Sequence, residues 1–271
     1  MITITENEFK QLADYIRVNY GINLKKEKTI IVSGRLEQVL QEMKCNTYTE
    51  YFNYLMADKS GQAVITLLNK ITTNHTFFMR ESEHFDCFKN TVLPKLKDSV
   101  DDKDMRIWCA ASSSGEEAYT LAMIIDEFLG KEKLFWNAQI LATDISENAL
   151  NLAIKGIYSN EKMDALPLYW IQNYFQKYDD NNWAVSERIK QEVIFRKFNL
   201  MEEVFPFRKK FHVIFCRNVM IYFDQETKNQ LIKKLFDQLE YGGYLFVGHS
   251  ESIDRLRYDC QYIMPSVYKK I

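Results

Sequence analysis

The chain has 271 residues, 46% of them hydrophobic and 27% charged, the balance of an ordinary globular protein with room for one large domain or a large and a small one. Its 35 basic and 37 acidic side chains leave a formal charge of -2, so no net attraction draws it to nucleic acid or an anionic membrane, and neither is expected as a partner. No uncharged apolar run approaches the roughly 18–20 residues of a membrane span, and MITITENEFKQLADYIRVNY at the start lacks the basic and apolar regions of a signal peptide, so a cytoplasmic protein is expected.

Residues 6–70 read as helices. Phe9, Leu12, Ala13, Ile16 and Tyr20 recur at helical spacing, and Gly21 supplies a stop. GRLEQVLQEM (34–43), YTEYFNYLM (48–56) and AVITLLNKIT (63–72) continue the pattern without strand-like alternation, which predicts a small helical domain over 1–72. Residues 73–100 are read as a linker and the first helix of a second domain, 73–271. DDKD (101–104) then turns into RIWCAA, the first buried-strand candidate. AQILATD (138–144), VIFRKFN (193–199), FHVIFCRN (211–218) and GGYLFVGHS (242–250) are of the same kind. Helical runs lie among them: EEAYTLAMIIDEFL (116–129), SENALNLAI (146–154) and QETKNQLIKKLFDQLE (225–240). Such alternation predicts an α/β fold with a doubly wound, mainly parallel sheet covered on both faces. The polar and aromatic residues 157–192 interrupt it and are read as a small insertion. Five scattered cysteines without a C-x-x-C pair point to reduced thiols rather than zinc. The four histidines group with neither the cysteines nor each other, so no metal site is expected.

Doubly wound sheets bind ligands at the carboxyl ends of their strands. Here those ends carry SSSGEE (112–117), Asp144, Asn199 with Leu200, Arg217 with Asn218, and His249 with Ser250. Neither G-K-[ST] nor G-x-G-x-x-G is present, which argues against a triphosphate or pyrophosphate. Asp144 is expected to accept from two ribose hydroxyls, the competing reading being the N-cap of helix 146–154. Ser114 and Glu117 have the S-x-x-E spacing of a capping box, but a ligand with a cationic group and no phosphates would also want a carboxylate there. S-adenosylmethionine, with its adenine, ribose, sulfonium and amino-acid end, is such a ligand. Ala110, Ala111 and Ser112 would let it lie against the backbone, and Glu117 would take its ammonium group. His249 is read as a structural strand-end residue.

TTNHTFFMRESEHF (72–85), WCAASSSGEEAYTLAM (108–123), ILATDIS (140–146), GIY (156–158), FNL (198–200), FHVIFCRNVMIYF (211–223) and GGYLFVGHSES (242–252) stand in an order and at spacings that identify a resemblance. Over nearly its whole length the sequence resembles the chemotaxis receptor methyltransferases of the CheR type. The resemblance implies transfer of a methyl group from S-adenosylmethionine to specific glutamate side chains of bacterial chemoreceptors, giving methyl esters for chemotactic adaptation and S-adenosylhomocysteine as product. It implies a seven-stranded, class I (Rossmann-like) methyltransferase sheet, an N-terminal all-helical domain that helps grip the receptor, and a three-stranded antiparallel subdomain at 157–192. Residue by residue, it implies cofactor contacts from Asn74, Thr76 and Arg80 on the segment joining the domains, and from Glu117 and Asp144. Asn199 and Leu200 would read the adenine edge, and Arg217 and Asn218 would lie beside the transferable methyl. The plainer readings are an ion pair of Arg80 with Glu81 or Glu83 on a helix, turn or cap roles for Asn74 and Thr76, and Tyr222 as core filler under the sheet.

Glutamate, with a pKa of about 4.3, is already ionised at pH 7 and needs no general base; Arg80 or Tyr222 would orient the incoming carboxylate. A methyltransferase acting on another protein or a nucleic acid, and a non-catalytic cofactor-binding regulatory module, are the alternatives. Against a nucleic-acid substrate, the strand end is CRNVMIY rather than N-P-P-Y-like, and Cys216 follows Phe215 inside a strand rather than a proline. Relatives that dock on a receptor tail carry a glycine-containing loop in the subdomain; here KYDDNNWAVSER (177–188) has none, so docking independent of the tail is expected. NLKKEKTIIVSGRL (23–36) sets Lys25, Lys26, Lys28 and Arg35 against the single acid Glu27, and is the expected contact for the acidic, helical cytoplasmic domain of the receptor. A monomer is expected.

Overall fold

A computed structural model describes residues 2–72 and 76–271. The chain divides into two compact units, a helical one that also takes in Tyr222–Asn229, and one built on a sheet.

The helical unit opens with α1 (Glu6–Tyr20), started by a capping box in which the Thr5 side chain accepts from Glu8 N and the Glu8 carboxylate accepts from Thr5 N. It is closed by Gly21 in the left-handed region at φ 71°, a conformation that favours glycine. The predicted stripe is buried at Phe9, Leu12 and Ile16. Next come α2 (Thr29–Glu42), which starts ahead of the predicted Gly34, α3 (Tyr48–Ala57) and α4 (Gln62–Ile71). Their buried Leu36, Leu40, Tyr51 and Leu67 form a core of their own. Within the same unit Asn23 N donates to Tyr222 O at 2.7 Å.

The sheet unit begins with α5 (Ser82–Cys87) and α6 (Leu93–Ser99), joined by a π-helical turn. There follow β1 (Ile107–Cys109), α7 (Glu116–Leu129), β2 (Ile140–Asp144) and α8 (Glu147–Lys155). The insertion supplies β3 (Ile157–Ser159), α9 (Asn160–Met163), α10 (Leu168–Tyr174), β4 (Phe175–Lys177), β5 (Asn182–Val185) and α11 (Glu187–Lys190). Then come β6 (Val193–Lys197), β7 (Phe211–Cys216), α12 (Gln225–Asp237), β8 (Leu239–Val247), β9 (Cys260–Met264) and β10 (Val267–Lys270). Among the described residues the main sheet has seven strands in the order β6-β2-β1-β7-β8-β10-β9. The first five are parallel, β10 runs against them, and β9 pairs antiparallel with β10. This is the expected doubly wound, mainly parallel, seven-stranded sheet. In the insertion β3, β5 and β4 form the expected small antiparallel sheet. One boundary differs from the sequence reading: α12 stops at Asp237, because Leu239 already pairs with Phe211 in the sheet.

The core explains why the strands read as apolar runs. On one face Phe215 and Phe246 stack with ring centroids 4.2 Å apart, and Phe85 and Phe88 pack on Phe215. On the other, Trp108 sits among Phe198, Phe205, Phe207 and Phe211, and donates its indole N–H to Thr143 Oγ1 at 2.9 Å. Each such side chain removed from water contributes about 1.5–3 kcal/mol. Strand order reverses at β1, which lies between β2 and β7, so the crevice of a doubly wound sheet opens between the carboxyl ends of β1 and β7.

Candidate functional site

After β1 the backbone folds back on the end of β2. Ser112 N donates to Thr143 O at 2.9 Å, Ser113 N to Asp144 Oδ2 at 2.8 Å, and Gly115 N to Ser112 O at 2.9 Å. Gly115 has φ 96°, and a Cβ there would lie 2.8 Å from Ala153 Cβ and 3.0 Å from the Tyr158 hydroxyl. Both backbone conformation and close approach therefore demand the loop's single glycine.

Two capping readings of this region are corrected. Gly115, not Ser114, is the N-cap of α7. The helix thus starts one residue later than a box needs, and Ser114 Oγ donates to Glu116 Oε2 at 2.8 Å. Glu117 instead accepts from Cys109 Sγ at 3.1 Å and from Arg217 Nη1 at 2.8 Å. Likewise Ser146, not Asp144, caps α8, by accepting from Ala149 N at 3.2 Å. Asp144 uses Oδ1 to accept from Ser146 N at 2.9 Å and Oδ2 for Ser113 N. Burial pushes its carboxyl pKa up, against the backbone hydrogen bonds from Ser146, Ser113 and Ile145. Each oxygen keeps acceptor capacity beyond these bonds. At the end of β6, Phe198 N donates to Asp144 O at 3.0 Å, and Asn199 Oδ1 accepts from Met201 N at 3.0 Å. Leu200 is buried, and its carbonyl accepts from Lys234 Nζ at 3.0 Å.

A second cluster forms around Arg217, whose side chain is 1% exposed. Its guanidinium lies over the Phe85 ring at 5.2 Å, pairs with Glu117 through Nη1 and with Glu81 Oε2 through Nη2 at 3.0 Å, and also donates to Arg80 O. Glu81 further accepts from Asn218 Nδ2 at 3.0 Å and His249 N at 3.2 Å. Burial alone would raise the Glu81 pKa, but the hydrogen bond from Asn218 and the charge of Arg217 bring it below the usual carboxylate range. Asn218 has φ 59°, a strained conformation for a residue with a side chain. It is held from the other side by Glu251, 1% exposed, which accepts from Asn218 N at 2.8 Å, Gly248 N at 2.6 Å and Ile221 N at 3.1 Å. Burial raises the Glu251 pKa despite those bonds.

Of the expected site residues, Glu117, Arg217, Asn218 and the Arg80 backbone are thus brought into one cluster, and Asp144 and Asn199 into the adjoining strand ends. Arg80 lies on a turn ahead of α5 rather than on a helix, and Glu81, at φ 56°, faces Arg217. Thr76 is half-buried, and Asn74 lies outside the described residues. Tyr222 belongs to the helical unit and is half-buried, rather than core filler under the sheet. Glu81 and Glu251 were not singled out by sequence reasoning. Both stand in polar runs, RESE and HSES, that look like solvated surface; Glu81 faces inward from a left-handed turn, and Glu251 is held by three backbone N–H groups.

The histidines are also corrected. His84, fully buried, lies with its ring centroid 4.6 Å from that of His249. A carbonyl only accepts, so the 3.3 Å contact of His84 Nε2 with Pro265 O places the proton on Nε2. Nδ1 then faces Glu81 Oε2 at 3.4 Å. Ligand atoms of Glu81, His84 and His249 lie within 4.8 Å of one another. However, Glu81 is spent on Arg217, Asn218 and His249 N, and the guanidinium beside it would repel a metal cation.

On the helical unit the basic residues Lys25, Lys26, Lys28 and Arg35 are all exposed. Arg35 Nη1 donates to Lys70 O at 3.3 Å and Ile71 O at 3.2 Å, closing the end of α4. Lys26 pairs with Glu6 at 2.6 Å in an exposed bridge, a kind that contributes little.

The sequence is similar to known methyltransferases over nearly its whole length. Residues 74–268 match the family model for the CheR methyltransferase, SAM binding domain, and residues 7–72 that for the CheR methyltransferase, all-alpha domain. The chain is 43% identical to a chemotaxis protein methyltransferase of Borreliella burgdorferi, over 99% of this chain and 96% of that one. It is 34% identical to chemotaxis protein methyltransferase Cher2 of Pseudomonas putida, over 92% of this chain and 91% of that one. Chemotaxis protein methyltransferase 1 of Pseudomonas aeruginosa matches with the same identity and coverage. The chain belongs to the CheR methyltransferase family and uses S-adenosylmethionine as its methyl donor.

Proposed function

We propose that the protein methylates the side-chain carboxylates of glutamates in the cytoplasmic domains of bacterial chemoreceptors, acting as a cytoplasmic monomer. The observation that carries this is the state of the groups at the strand ends. Cys109 and Cys216 are fully buried, with thiol pKa values pushed well above the ordinary value by burial first and then by nearby carboxylates. His84 is pushed down to about 4 by burial and Arg217 and is held on a backbone carbonyl. None of these is placed to take a proton from a neutral acceptor, whereas a glutamate above about pH 4.3 arrives ionised. When bound, S-adenosylmethionine supplies a methyl on a sulfonium, and the carboxylate takes it as sulfur leaves with the C–S electron pair as the neutral thioether of S-adenosylhomocysteine.

The protein's part is to bind, align and exclude water. Asp144 is proposed to accept from the ribose hydroxyls with its remaining lone pairs. Glu117, paired with Arg217 at 2.8 Å, is proposed to take the ammonium group. Asn199 and Leu200 are proposed for the adenine edge, and Asn218 for the methyl-bearing end. Asn74, Thr76 and Arg80 are proposed as contacts from the joining segment. Arg80 and Tyr222 are proposed to orient the incoming carboxylate, weakly enough to leave it nucleophilic. Residues 1–72 are proposed as the receptor-gripping domain and 73–271 as the catalytic one, with 157–192 inserted.

The test is transfer of tritiated methyl to receptor cytoplasmic fragments, tRNA and DNA. Label is expected on receptor fragments alone, released as methanol by mild alkali because it is an ester. Alkali-stable label on nucleic acid would sink the reading. For receptor docking, reversing Lys25, Lys26 and Lys28 to Glu is expected to raise KM for receptor about tenfold at low salt and to leave S-adenosylhomocysteine affinity alone. The attraction is screened beyond a Debye length of about 8–10 Å, so the difference should shrink as salt rises. Parental receptor kinetics in the triple variant at low salt would rule the docking face out.

A further inference from the structure

We infer that the inserted segment positions the cofactor loop: Tyr158 on β3 and Lys162 on α9 hold Ser114 and Glu116, and so set cofactor affinity without touching the cofactor. Glu116 is the first residue of α7 and is fully buried. A carboxylate there gains from the helix N-terminus, but at full burial it also needs a cation. Lys162 is that cation: its ammonium bonds Glu116 Oε1 and lies 5.6 Å from the centre of the Tyr158 ring. The other oxygen of Glu116 accepts from Ser114 Oγ at 2.8 Å. Tyr158, 4% exposed, donates its hydroxyl to Ser114 O at 2.7 Å. Ser114 is therefore gripped through its side chain by a pair that includes Lys162, and through its carbonyl by Tyr158.

One residue earlier, Ser113 N donates to Asp144 Oδ2, and Ser113 is held at φ 47°. That strained peptide has Asp144 on one side and the insertion's grip on the other. Gly115, the next residue, lies against Ala153 and Tyr158 too closely for any side chain. A shift of Ser114 therefore passes directly to the amide that orients Asp144. The inference rests on the reading of Asp144 as a cofactor contact, and goes beyond it by placing control of the adjoining Ser112–Gly115 loop in the insertion.

The experiment is calorimetric titration of the full chain with S-adenosylhomocysteine, alongside hydrogen exchange of the Ser113 and Gly115 amides without cofactor. Lys162→Met strands the Glu116 charge. It is expected to weaken binding about tenfold, or about 1.4 kcal/mol, to speed exchange at both amides, and to leave KM for receptor unchanged. Lys162→Arg, which keeps the charge, and the double variant Glu116→Gln/Lys162→Met, which removes both charges, are expected to recover affinity to within about threefold. Asp144→Ala serves as the control for the site itself. Loss of a charge-assisted bond there is expected to weaken binding about tenfold to a hundredfold. If Asp144→Ala weakens binding while Lys162→Met binds like the parent, the clamp is wrong and the site reading stands. If Asp144→Ala binds like the parent, the site reading falls and the clamp's effect on affinity falls with it. Should Lys162→Met fail to fold, Tyr158→Phe removes only the bond to Ser114 O; unchanged affinity and exchange in that variant overturn the inference.

Discussion

Replacing Arg217 by Met is expected to cost the sheet unit about 3–5 kcal/mol, because it leaves two partly buried carboxylates facing each other with no cation between them. For a unit of this size that corresponds to roughly 6–20 °C in Tm. The side chains of Glu81 and Glu117 are 13% and 15% exposed, so water offers little compensation. The loss should depend on pH in a direction that identifies its origin. In the parent, Glu81 is held below the usual carboxylate range. Its stabilisation is present above the unfolded-state pKa and is lost as pH falls through the lower folded value. In Arg217→Met the carboxylates take up protons to relieve their repulsion, so the gap between variant and parent should narrow on acidification. Arg217→Lys should not rescue, since one ammonium cannot bridge Glu117, Glu81 and the Arg80 carbonyl as the planar fork does. Melting curves at pH 7.5 and 5 decide it. A variant that melts within about 2 °C of the parent would show that Glu81 and Glu117 find other partners.

That network also shows where reading the sequence stopped. The strands are legible because IWC, ILATD and HVIFC are apolar on both faces, as a sheet covered by helices requires. Glu117 and Asp144 are legible because they stand at strand ends, where short-range spacing and the ligand rule coincide. Glu81 and Glu251 are not, because their direction depends on partners more than 30 residues away in Asn218 and, for Glu81, on Arg217 and its own left-handed turn. Local pattern sees in them only charge. The apparent capping box fails on a shift of one residue, since Gly115 takes the cap and frees Glu117 to face Arg217. Arg35 is the surface charge it looks like in the sequence, but its bonds to the carbonyls of Lys70 and Ile71, 35 and 36 residues on, are beyond local pattern. The strands β9 and β10 also escape a pattern search. CQYIM and VYKK mix polar and apolar residues without alternation, as short strands near a sheet edge do.

A further large effect is expected on acidification, through His84. Buried against Phe246 and His249, it is pushed down from an ordinary value near 6.5 to about 4, by burial first and then by Arg217. Of the charged groups facing it, Glu81 opposes this shift while Arg217 and His249 support it. His84 is therefore neutral in the fold, and the unfolded chain takes up a proton below about pH 6.5 that the folded chain refuses until about pH 4. Its contribution is present in full above 6.5 and is lost as pH falls through that window, about 3 kcal/mol in all. His84→Gln removes the titration while placing an amide donor where Nε2 meets Pro265 O. Urea unfolding between pH 7 and 4 should then show the parent losing about 3 kcal/mol more than His84→Gln. The opposite sign is the informative failure. If Glu81, 3.4 Å from Nδ1, outweighed burial and held the ring as an imidazolium, the folded pKa would lie above 6.5. The parent would then gain on His84→Gln as pH falls, and His84 would be a cationic partner of Glu81 rather than a neutral residue wedged beside it.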